Sequence, residues 1–423
     1  MGANEPRILT THVGSLIRPP SLLPFLAAKG AGVPYDEEAY AKTLKREVAE
    51  VVAKQAEIGI DIVSDGEFGK ALSWSLYGLL RLNGFERREG QAAQTTFARG
   101  IDRKLFPEFY KELDSLERPA EVRSQPDYKA IDVVCVNPIG YSDAGIREVQ
   151  TDIANLKTAL ALHPKLRGFL PVASTPSVIP DRKNEYYASD DDCARAIASA
   201  MHTEYKAITD AGLFVQLDDA RIAVTHDRML EQGTFADYRR WLERSIGIIN
   251  ESIKGLPRHR IRYHVCWGSW AGPHIGDVPF RSIVDLVMRI NAGAFAIEMA
   301  NVRHEHEWRI WEGQTLPGGV KLIPGVVSHQ TNLVEHPELV CERIVRLANL
   351  VGRENVIAGT DCGFAQATYL RRVHPSIQWA KLSALVEGAA LASKILWRKN
   401  NPFRRAKTKR NAARDRRPAS RLK

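Results

Sequence analysis

Long apolar runs are absent from this sequence of 423 residues, and cysteines are few. No stretch approaches the roughly 20 consecutive apolar residues that a membrane helix needs. The first six residues have neither the basic region nor the apolar region of a secretory signal. The five cysteines are an odd number and lie far apart, which indicates a reducing compartment rather than a disulfide framework. We therefore expect a cytoplasmic protein with no membrane partner, in which any special cysteine is a ligand or a nucleophile.

Two common nucleotide-binding motifs are also missing. The sequence contains neither G-x-G-x-x-G nor G-x-x-x-x-G-K-[ST], so neither dinucleotide nor NTP binding is indicated. Hydrophobic residues make up 44% of the chain and charged residues 26%. This balance is typical of a globular protein with a sizeable core.

The net charge of +9 is concentrated at one end of the chain. Residues 398–423 contain twelve Lys or Arg and one Asp, a net charge of +11, so the remainder carries about −2. Because this basic tail has almost no large apolar side chains, it cannot bury a core and is predicted to be disordered. A basic tail can contact RNA or another nucleic acid, but a solvated extension without a specific partner is the simpler interpretation.

Short β-branched runs alternate with segments of helical periodicity, which is typical of βα units around a parallel sheet. Eight such runs predict an α/β fold, a closed (β/α)₈ TIM barrel, with a doubly wound open sheet as the alternative. The predicted strands are Ile8–Val13, Ile60–Ser64, Leu166–Val172, Phe214–Leu217, Ile261–Cys266, Ala294–Glu298, Val320–Val327 and Val356–Thr360. The predicted helices are Asp36–Glu57, Ala144–Ala161, Asp190–Ala211, Phe235–Lys254, Arg281–Asn291, Pro337–Val351 and Ile377–Trp397.

One connection is far too long for a βα loop. Residues 68–144 follow the second predicted strand and contain an extra strand-like run, Ile131–Val136. We interpret them as an insertion over one end of the barrel, a small hairpin, since long segments of this kind are often functional lids. The chain is thus predicted to be one catalytic barrel, residues 1–397 with the insertion at about 68–144, followed by the disordered tail 398–423.

Metal-ligating side chains stand at several predicted strand ends. His264 and Cys266 are two residues apart on a strand, so both point to the same face. In a barrel, the carboxyl ends of the strands meet around one mouth. With Glu298 and Cys362, which end two other predicted strands, they provide one nitrogen, two sulfurs and one oxygen. This set of atoms suits tetrahedral zinc and suits magnesium or calcium poorly. The alternative without a metal is that Glu298 forms an ion pair with Arg303 and that Cys362 is a core residue. The four candidate zinc ligands are His264, Cys266, Glu298 and Cys362.

The order of these motifs resembles the catalytic C-terminal barrel of the cobalamin-independent methionine synthase family. The resemblance covers roughly residues 7 to 395. Three further stretches, Asp65–Lys70, Arg303–Trp308 and Val334–Glu338, resemble a shorter stand-alone branch that includes the epoxyalkane:coenzyme M transferases. The matching motifs are Gly14-Ser15, Gly66-Glu67, Leu217-Asp218-Asp219, His264-Val265-Cys266, Glu298, Pro324-Gly325-Val326 and Asp361-Cys362-Gly363.

The resemblance implies a role for each of these residues. The four candidate ligands would bind zinc, and Glu67 and Asp218 would hold the amino group of homocysteine. Ser15, with Gly14, would contact the carboxylate of that substrate. His329 is the nearest match to the catalytic histidine that donates a proton in the family, with a gap of one residue.

Two departures from the family limit what the resemblance implies. The full-length enzyme has an additional N-terminal half that helps to hold its glutamylated methyltetrahydrofolate donor, and this sequence shows no such half. The methyl donor is therefore left open. In the full-length family a second cysteine follows the His-x-Cys motif, whereas Trp267 and Gly268 follow it here. Trp267 and Trp270 are interpreted as wall or core residues.

Three functions follow, of which the first two share a zinc-bound thiolate and the third belongs to a different class. The first is methyl transfer, as in methionine biosynthesis, from a small-molecule donor to homocysteine or a related thiol held as a zinc-bound thiolate. The second is epoxide opening by a zinc-bound sulfonate thiol, for which Lys70, Arg18 and Arg303 are the available cations. The third is a non-catalytic barrel associated with thiols or RNA. A zinc hydrolase is disfavoured, because hydrolytic sites more often use His and carboxylate ligands.

Overall fold

The computed structural model describes residues 6–89, 99–116 and 131–398. Eight parallel strands form its main sheet and three strands form a second, smaller sheet. The eleven strands are β1 (Leu9–Thr10), β2 (Ile62–Val63), β3 (Leu82–Glu89), β4 (Ile131–Tyr141), β5 (Arg167–Ala173), β6 (Lys183–Asn184), β7 (Phe214–Asp219), β8 (Ile261–Val265), β9 (Ala294–Ile297), β10 (Lys321–Val327) and β11 (Ile357–Thr360).

The main sheet is a barrel with the order β1-β11-β10-β9-β8-β7-β5-β2. An isolated parallel bridge between Thr11 and Ile62 joins the first and last strands of that order. The (β/α)₈ prediction is therefore confirmed, and the doubly wound open sheet is wrong. Closure matters for function because it brings all eight carboxyl ends around one opening.

Helices flank the barrel on its outside. Six of the seven predicted helices are present. The structure adds the α-helices Leu23–Ala31, Gly78–Arg81, Ile101–Leu105, Pro107–Leu116 and Arg221–Met229, and a 3₁₀ helix of eight residues at Glu305–Glu312. The predicted helix Arg281–Asn291 is wrong in form, because Ile283 has φ of −132° and separates a 3₁₀ turn from a single α-helical turn. The α-helices are α1 (Leu23–Ala31), α2 (Glu37–Ile58), α3 (Gly78–Arg81), α4 (Ile101–Leu105), α5 (Pro107–Leu116), α6 (Asp143–Ala161), α7 (Asp190–Asp210), α8 (Arg221–Met229), α9 (Phe235–Ser252), α10 (Val284–Val287), α11 (Pro337–Val351) and α12 (Pro375–Leu396).

No helix among the described residues combines the length and the apolar character that would let it span a membrane. The predicted basic tail lies outside the described residues except for Arg398.

The inside of the barrel changes from apolar to polar along the strands. Every second residue of a strand faces inward. Near the amino ends the interior contains Phe214 and Ala294, which pack together in one apolar cluster. Near the carboxyl ends, the same strands lead to Asp218 and to Glu298, both buried. The sequence thus places Asp218 and Glu298 at the mouth and an apolar cluster near the opposite end.

The insertion after β2 contains the hairpin that the sequence predicts. Strands β3 and β4 pair antiparallel, and β6 adds a short parallel strand to β4. Helices α4 and α5 lie between β3 and β4 in the chain. The division into one barrel domain, an insertion and a tail stays a prediction.

A buried arginine attaches this hairpin to the barrel helices. Arg81, just before β3, is 1% exposed. Its guanidinium contacts Asp152 at 2.5 Å, Glu204 at 2.5 Å and Glu148 at 3.2 Å. Glu148 and Asp152 lie on α6 and Glu204 lies on α7, so one guanidinium pairs with carboxylates from two helices. Removing it would leave carboxylates buried without a partner.

We predict that Arg81→Met lowers the free energy of unfolding by about 3–5 kcal/mol, because it breaks a buried ion cluster from one side. Denaturant unfolding measures this loss. Arg289→Met is the matched control, since Arg289 and its partner Glu243 are both more than half exposed, and such pairs contribute about 0–1 kcal/mol. Equal losses in the two variants would contradict this account of Arg81.

Candidate metal centre

The four candidate ligands meet at the barrel mouth. His264 is on β8 and Cys266 directly follows it, Glu298 directly follows β9, and Cys362 lies two residues beyond β11. One nitrogen, oxygen or sulfur atom from each lies within 4.8 Å of the others. Among the described residues this is the group of His, Cys, Asp and Glu side chains that could hold a metal ion.

The two cysteines are separate thiols. Their Sγ atoms are 3.6 Å apart, much longer than the roughly 2.05 Å of a disulfide. The Gly268 amide donates to the Cys266 sulfur at 3.2 Å, and the Ser269 hydroxyl donates to the Cys362 sulfur at 3.4 Å. The hydrogen bond from Cys266 lowers the pKa of Cys362 well below its usual range, and the same contact raises that of Cys266. The opposite shifts mean that this contact favours the anion at Cys362 and the neutral thiol at Cys266.

His264 is oriented as a metal ligand. Its Nδ1 lies 3.2 Å from the Ala296 carbonyl oxygen, which accepts a hydrogen bond only if Nδ1 carries the proton. Its Nε2 is buried without a hydrogen-bond partner among the described atoms. A backbone hydrogen bond of this kind fixes the tautomer of a ligating histidine and directs its other nitrogen to the metal.

Glu298 is held by two donors. The Trp267 amide donates to one carboxylate oxygen at 3.2 Å, and Asn301 Nδ2 donates to the other at 2.9 Å. Burial, reinforced by the charges of Asp361 and Cys362, raises the pKa of Glu298 well above its usual range. Burying the Glu298 carboxylate as an anion is unfavourable unless a cation lies beside it, as it would for a metal ligand. Arg303 instead donates to the Ile275 carbonyl, so the alternative pairing with Glu298 is wrong.

Asp361 fixes the backbone that presents Glu298. Its Oδ1 accepts hydrogen bonds from the Met299 and Ala300 amides, both at 2.8 Å. To do so it passes across β10 at Gly325, where a Cβ would overlap the Asp361 carboxylate. The absence of a side chain at Gly325 therefore lets residues of β9 and β11 approach each other across the strand between them.

A cavity of about 440 Å³ opens in front of the thiols. Ser15, Glu67 and Asp218 all line it, together with three of the four candidate ligands. The three predicted substrate-binding residues and the candidate metal ligands thus share one space. The rest of the lining includes Trp74, Leu79, Tyr110, Leu113, Trp270 and the arginines Arg87, Arg99, Arg103, Arg221 and Arg372.

The two predicted ammonium-binding carboxylates have different partners. Lys70 Nζ lies 3.0 Å from Glu67 Oε1 and also donates to the Pro171 carbonyl. Glu67 Oε2 is buried without a partner among the described atoms. Asp218 Oδ1 accepts a hydrogen bond from Gln216 at 2.8 Å. Burial raises the pKa of Asp218 to about 7. Each carboxylate therefore has one oxygen engaged by the protein.

Ser15 approaches the loop that carries Cys362. The Phe364 amide donates to the Ser15 carbonyl at 2.9 Å. A Cβ on Gly363 would overlap the Ser15 hydroxyl. Glycine at this position is therefore needed for the predicted carboxylate-binding serine to lie beside the metal centre.

His329 is behind the cavity wall. It is fully buried, and its Nε2 lies 3.0 Å from the Ser269 hydroxyl, which in turn contacts Cys362. Burial lowers the pKa of His329 to about 4, so the imidazole is neutral near pH 7. Its role as proton donor stays a prediction, and Ser269 is the group through which it reaches the site. Sequence reasoning missed Ser269, whose only signal is that it follows the His-x-Cys motif by three residues.

The helices of the insertion are attached to the loop after β8. Asp102 accepts hydrogen bonds from the amides of His274 and Ile275, at 3.0 and 2.8 Å, and from the Tyr110 hydroxyl at 2.6 Å. Trp270 Nε1 donates to the Tyr110 hydroxyl at 2.9 Å. The predicted wall residue Trp270 therefore connects the insertion to the strand end that carries Cys266.

A buried charged network stabilises the same loop. Asp277 lies between His274 Nδ1 at 3.0 Å and His304 Nε2 at 2.9 Å, and His304 Nδ1 contacts Glu307 at 3.0 Å. The His304 ring packs on Trp267, with 4.2 Å between ring centroids. Burial alone would lower the pKa of His304, but its bonds to Asp277 and Glu307 raise it to about 9.

Comparisons with known proteins identify the class to which this barrel belongs. Residues 177–383 match the family model described as the catalytic domain of cobalamin-independent synthase. This range contains the four candidate ligands, Asp218 and His329. The match covers 207 of the 423 residues, and the resemblance seen in the sequence is confirmed.

Individual relatives agree with this assignment. The protein YxjH of Bacillus subtilis, described as uncharacterized, is 24% identical over 399 residues, 89% of this chain and 92% of its own. A 2-hydroxypropyl-CoM lyase of Xanthobacter autotrophicus is 26% identical over 49% of this chain and 56% of its own. A methionine synthase of Sulfurisphaera tokodaii is 26% identical over 50% of this chain and 53% of its own.

The fold has a close counterpart among solved structures. The B12-independent methionine synthase of Shewanella sp. W3-18-1, in complex with selenomethionine, superposes with a TM-score of 0.66. The match covers 92% of this chain and 98% of the other at 18% identity. At that identity the likeness shows the fold, which is the predicted barrel.

We predict that the contribution of His304 to stability depends on pH. Its pKa is raised from 6.5 to about 9 on folding. The contribution is therefore fully present below about pH 6.5 and is lost as the pH rises through about 9. Urea unfolding should show a larger loss for His304→Gln at about pH 6 than at about pH 9.5. His306→Gln is the control, because the His306 side chain is exposed; a loss at His304 that is the same at both pH values would refute the prediction.

Proposed function

We propose that this protein is a zinc-dependent thiol alkyltransferase that transfers a methyl group to homocysteine or a related amino thiol. The observation that carries the proposal is the shared cavity. The two thiols and the imidazole of the candidate centre line the same cavity as Glu67 and Asp218. The match of residues 177–383 to the catalytic domain of cobalamin-independent synthase supports the same reaction.

The donor set suits zinc. Two sulfurs, one nitrogen and one oxygen are ligands that zinc accepts in tetrahedral geometry. His264 directs a buried nitrogen without a partner at the site, and Glu298 is an anion whose burial calls for a cation. When bound, zinc would lower the pKa of a coordinating thiol so that it is deprotonated at neutral pH.

The charge of the neighbouring residues fits an ammonium group on the acceptor. Glu67 and Asp218 are carboxylates, and Lys70 is bonded to Glu67. With all three ionised, the cluster has a net charge of −1, which one ammonium group neutralises. Ser15 borders the same cavity and has a hydroxyl that can donate to a substrate carboxylate. Homocysteine has the thiol, the ammonium and the carboxylate that these residues match.

A second candidate, the alkylation of a sulfonate thiol by an epoxide, is favoured by the 2-hydroxypropyl-CoM lyase relative. The three cations first considered for the sulfonate do not line the cavity. Lys70 is bonded to Glu67, Arg18 donates to the carbonyls of Glu67 and Lys70, and Arg303 donates to a loop carbonyl. A sulfonate beside Glu67 and Asp218 would meet net negative charge, so this reaction ranks second.

In the proposal, His329 exchanges a proton with the cavity through the Ser269 hydroxyl. The two groups are 3.0 Å apart, and Ser269 borders the cavity while His329 does not. Trp267 and Trp270 exclude water on the same side, which protects a thiolate from solvent.

We expect the purified protein to bind about one zinc ion per chain and to methylate homocysteine in a screen of methyl donors. His264→Ala and Cys362→Ser should each lose zinc, measured by metal analysis, and activity, measured by product formation. Cys341→Ser is the matched control, because Cys341 is a buried cysteine on α11, outside the site. The same screen includes 2-mercaptoethanesulfonate with a short epoxide. Full activity in His264→Ala or Cys362→Ser would refute the proposal, and turnover of the sulfonate thiol alone would favour the second candidate.

His329→Gln should lower kcat by about tenfold to a thousandfold and leave the zinc content unchanged, because His329 contacts no candidate ligand directly. Metal analysis and steady-state kinetics separate these effects. Loss of zinc in this variant would show that His329 is structural, and an unchanged kcat would remove it from the mechanism.

A further inference from the structure

Two polar side chains cross the inside of the barrel directly below the cavity. Gln216 on β7 and Arg262 on β8 are register neighbours, and both are 0% exposed. Gln216 Nε2 donates to the Val13 carbonyl, and Arg262 Nη2 donates to the His12 carbonyl at 2.9 Å. These carbonyls follow β1, which is not adjacent to β7 or β8 in the sheet. We call Gln216 and Arg262 the polar floor.

Hydrogen bonds across the barrel hold the two side chains of the polar floor in place. Gln216 Nε2 has two hydrogens and two acceptors, the Val13 carbonyl and Asp218 Oδ1. This arrangement fixes which end of the amide faces Asp218. Arg262 also donates to the Thr11 hydroxyl at 3.1 Å and lies 3.8 Å above the Phe169 ring. Gln216 Oε1 and Arg262 Nε have no hydrogen-bond partner among the described atoms, so the other nitrogens of the two side chains provide their hydrogen bonds.

The floor determines how Asp218 faces the cavity. Gln216 occupies Oδ1, so the other oxygen, Oδ2, is the one available to a ligand. Asp218 lines the cavity, whereas Gln216 and Arg262 do not. Gln216 therefore acts on a ligand only through Asp218. Because it also binds the Val13 carbonyl, it ties the Asp218 carboxylate to the strand that leads to Ser15.

We infer that Gln216 is a positioning residue that makes the acceptor site selective for thiols bearing an ammonium group, by holding Asp218 with one oxygen toward the cavity. This inference rests on the proposed function, since it concerns the thiol acceptor. Gln216, which does not line the cavity, would thus determine whether amino thiols bind more tightly than other thiols.

The test compares homocysteine with 4-mercaptobutyrate, which is homocysteine without its amino group. Cobalt(II) replaces zinc in the full-length protein, and the sulfur-to-cobalt absorption band reports thiol binding without any methyl donor. The wild type should bind homocysteine at least about tenfold more tightly than 4-mercaptobutyrate, as expected for one charge-assisted contact.

Gln216→Met keeps the length of the side chain but removes both hydrogen-bond donors. It should weaken homocysteine binding about tenfold and change 4-mercaptobutyrate binding by less than about twofold. Asp218→Asn should remove the same discrimination, and the double variant should lose no more than Asp218→Asn alone. Gln378→Met is the control, because Gln378 is a buried glutamine whose Oε1 accepts a hydrogen bond from the Ile17 amide, away from the floor.

The outcomes are separable. A wild type whose cobalt band responds to neither thiol overturns the proposed function, and this inference with it. A wild type that responds, with Gln216→Met weakening both thiols equally or neither, overturns only the inference, because the role of Gln216 would then be structural or absent. If Gln216→Met does not fold, Gln216→Asn takes its place, since its shorter amide no longer reaches Asp218.

Discussion

The candidate metal centre depends on closure of the barrel across a strand that contributes no ligand. Its four groups come from the ends of β8, β9 and β11, and β10 lies between the last two. Gly325 on β10 leaves room for Asp361 to reach the backbone beside Glu298. Several anions are thereby buried together, which is unfavourable without a cation. A bound divalent cation would compensate this charge.

The polar groups at the barrel mouth form two halves with different chemistry. One half holds the thiols and the imidazole, and the other holds Glu67, Lys70 and Asp218 with a net charge of −1. The polar floor connects them, since Gln216 and Arg262 lie on the strands that carry Asp218 and His264. A thiol with a charged amino tail would contact both halves at once.

The insertion contributes part of the cavity wall. Tyr110 of α5 accepts a hydrogen bond from Trp270, and Asp102 of α4 accepts two from the loop that follows β8. That loop begins at Cys266, so the helices of the insertion and the thiols are parts of one connected structure. Five arginines also line the cavity.

The half-length matches to 2-hydroxypropyl-CoM lyase and methionine synthase agree with a shared catalytic core, while YxjH matches along nearly the whole chain.

The sequence by itself determined the barrel, the insertion and the identity of the four candidate ligands, because hydrophobic periodicity and strand-end motifs are local signals. It also predicted that Ser15, Glu67 and Asp218 share the mouth. Only the tertiary structure showed that Lys70 neutralises Glu67, that Ser269 separates His329 from the site, and that Gln216 crosses the barrel to β1. The contacts of His329 and Gln216 join residues 60 and 203 positions apart, and no local pattern encodes them. Burial and strand order decide such pairings, and both exist only once the chain has closed.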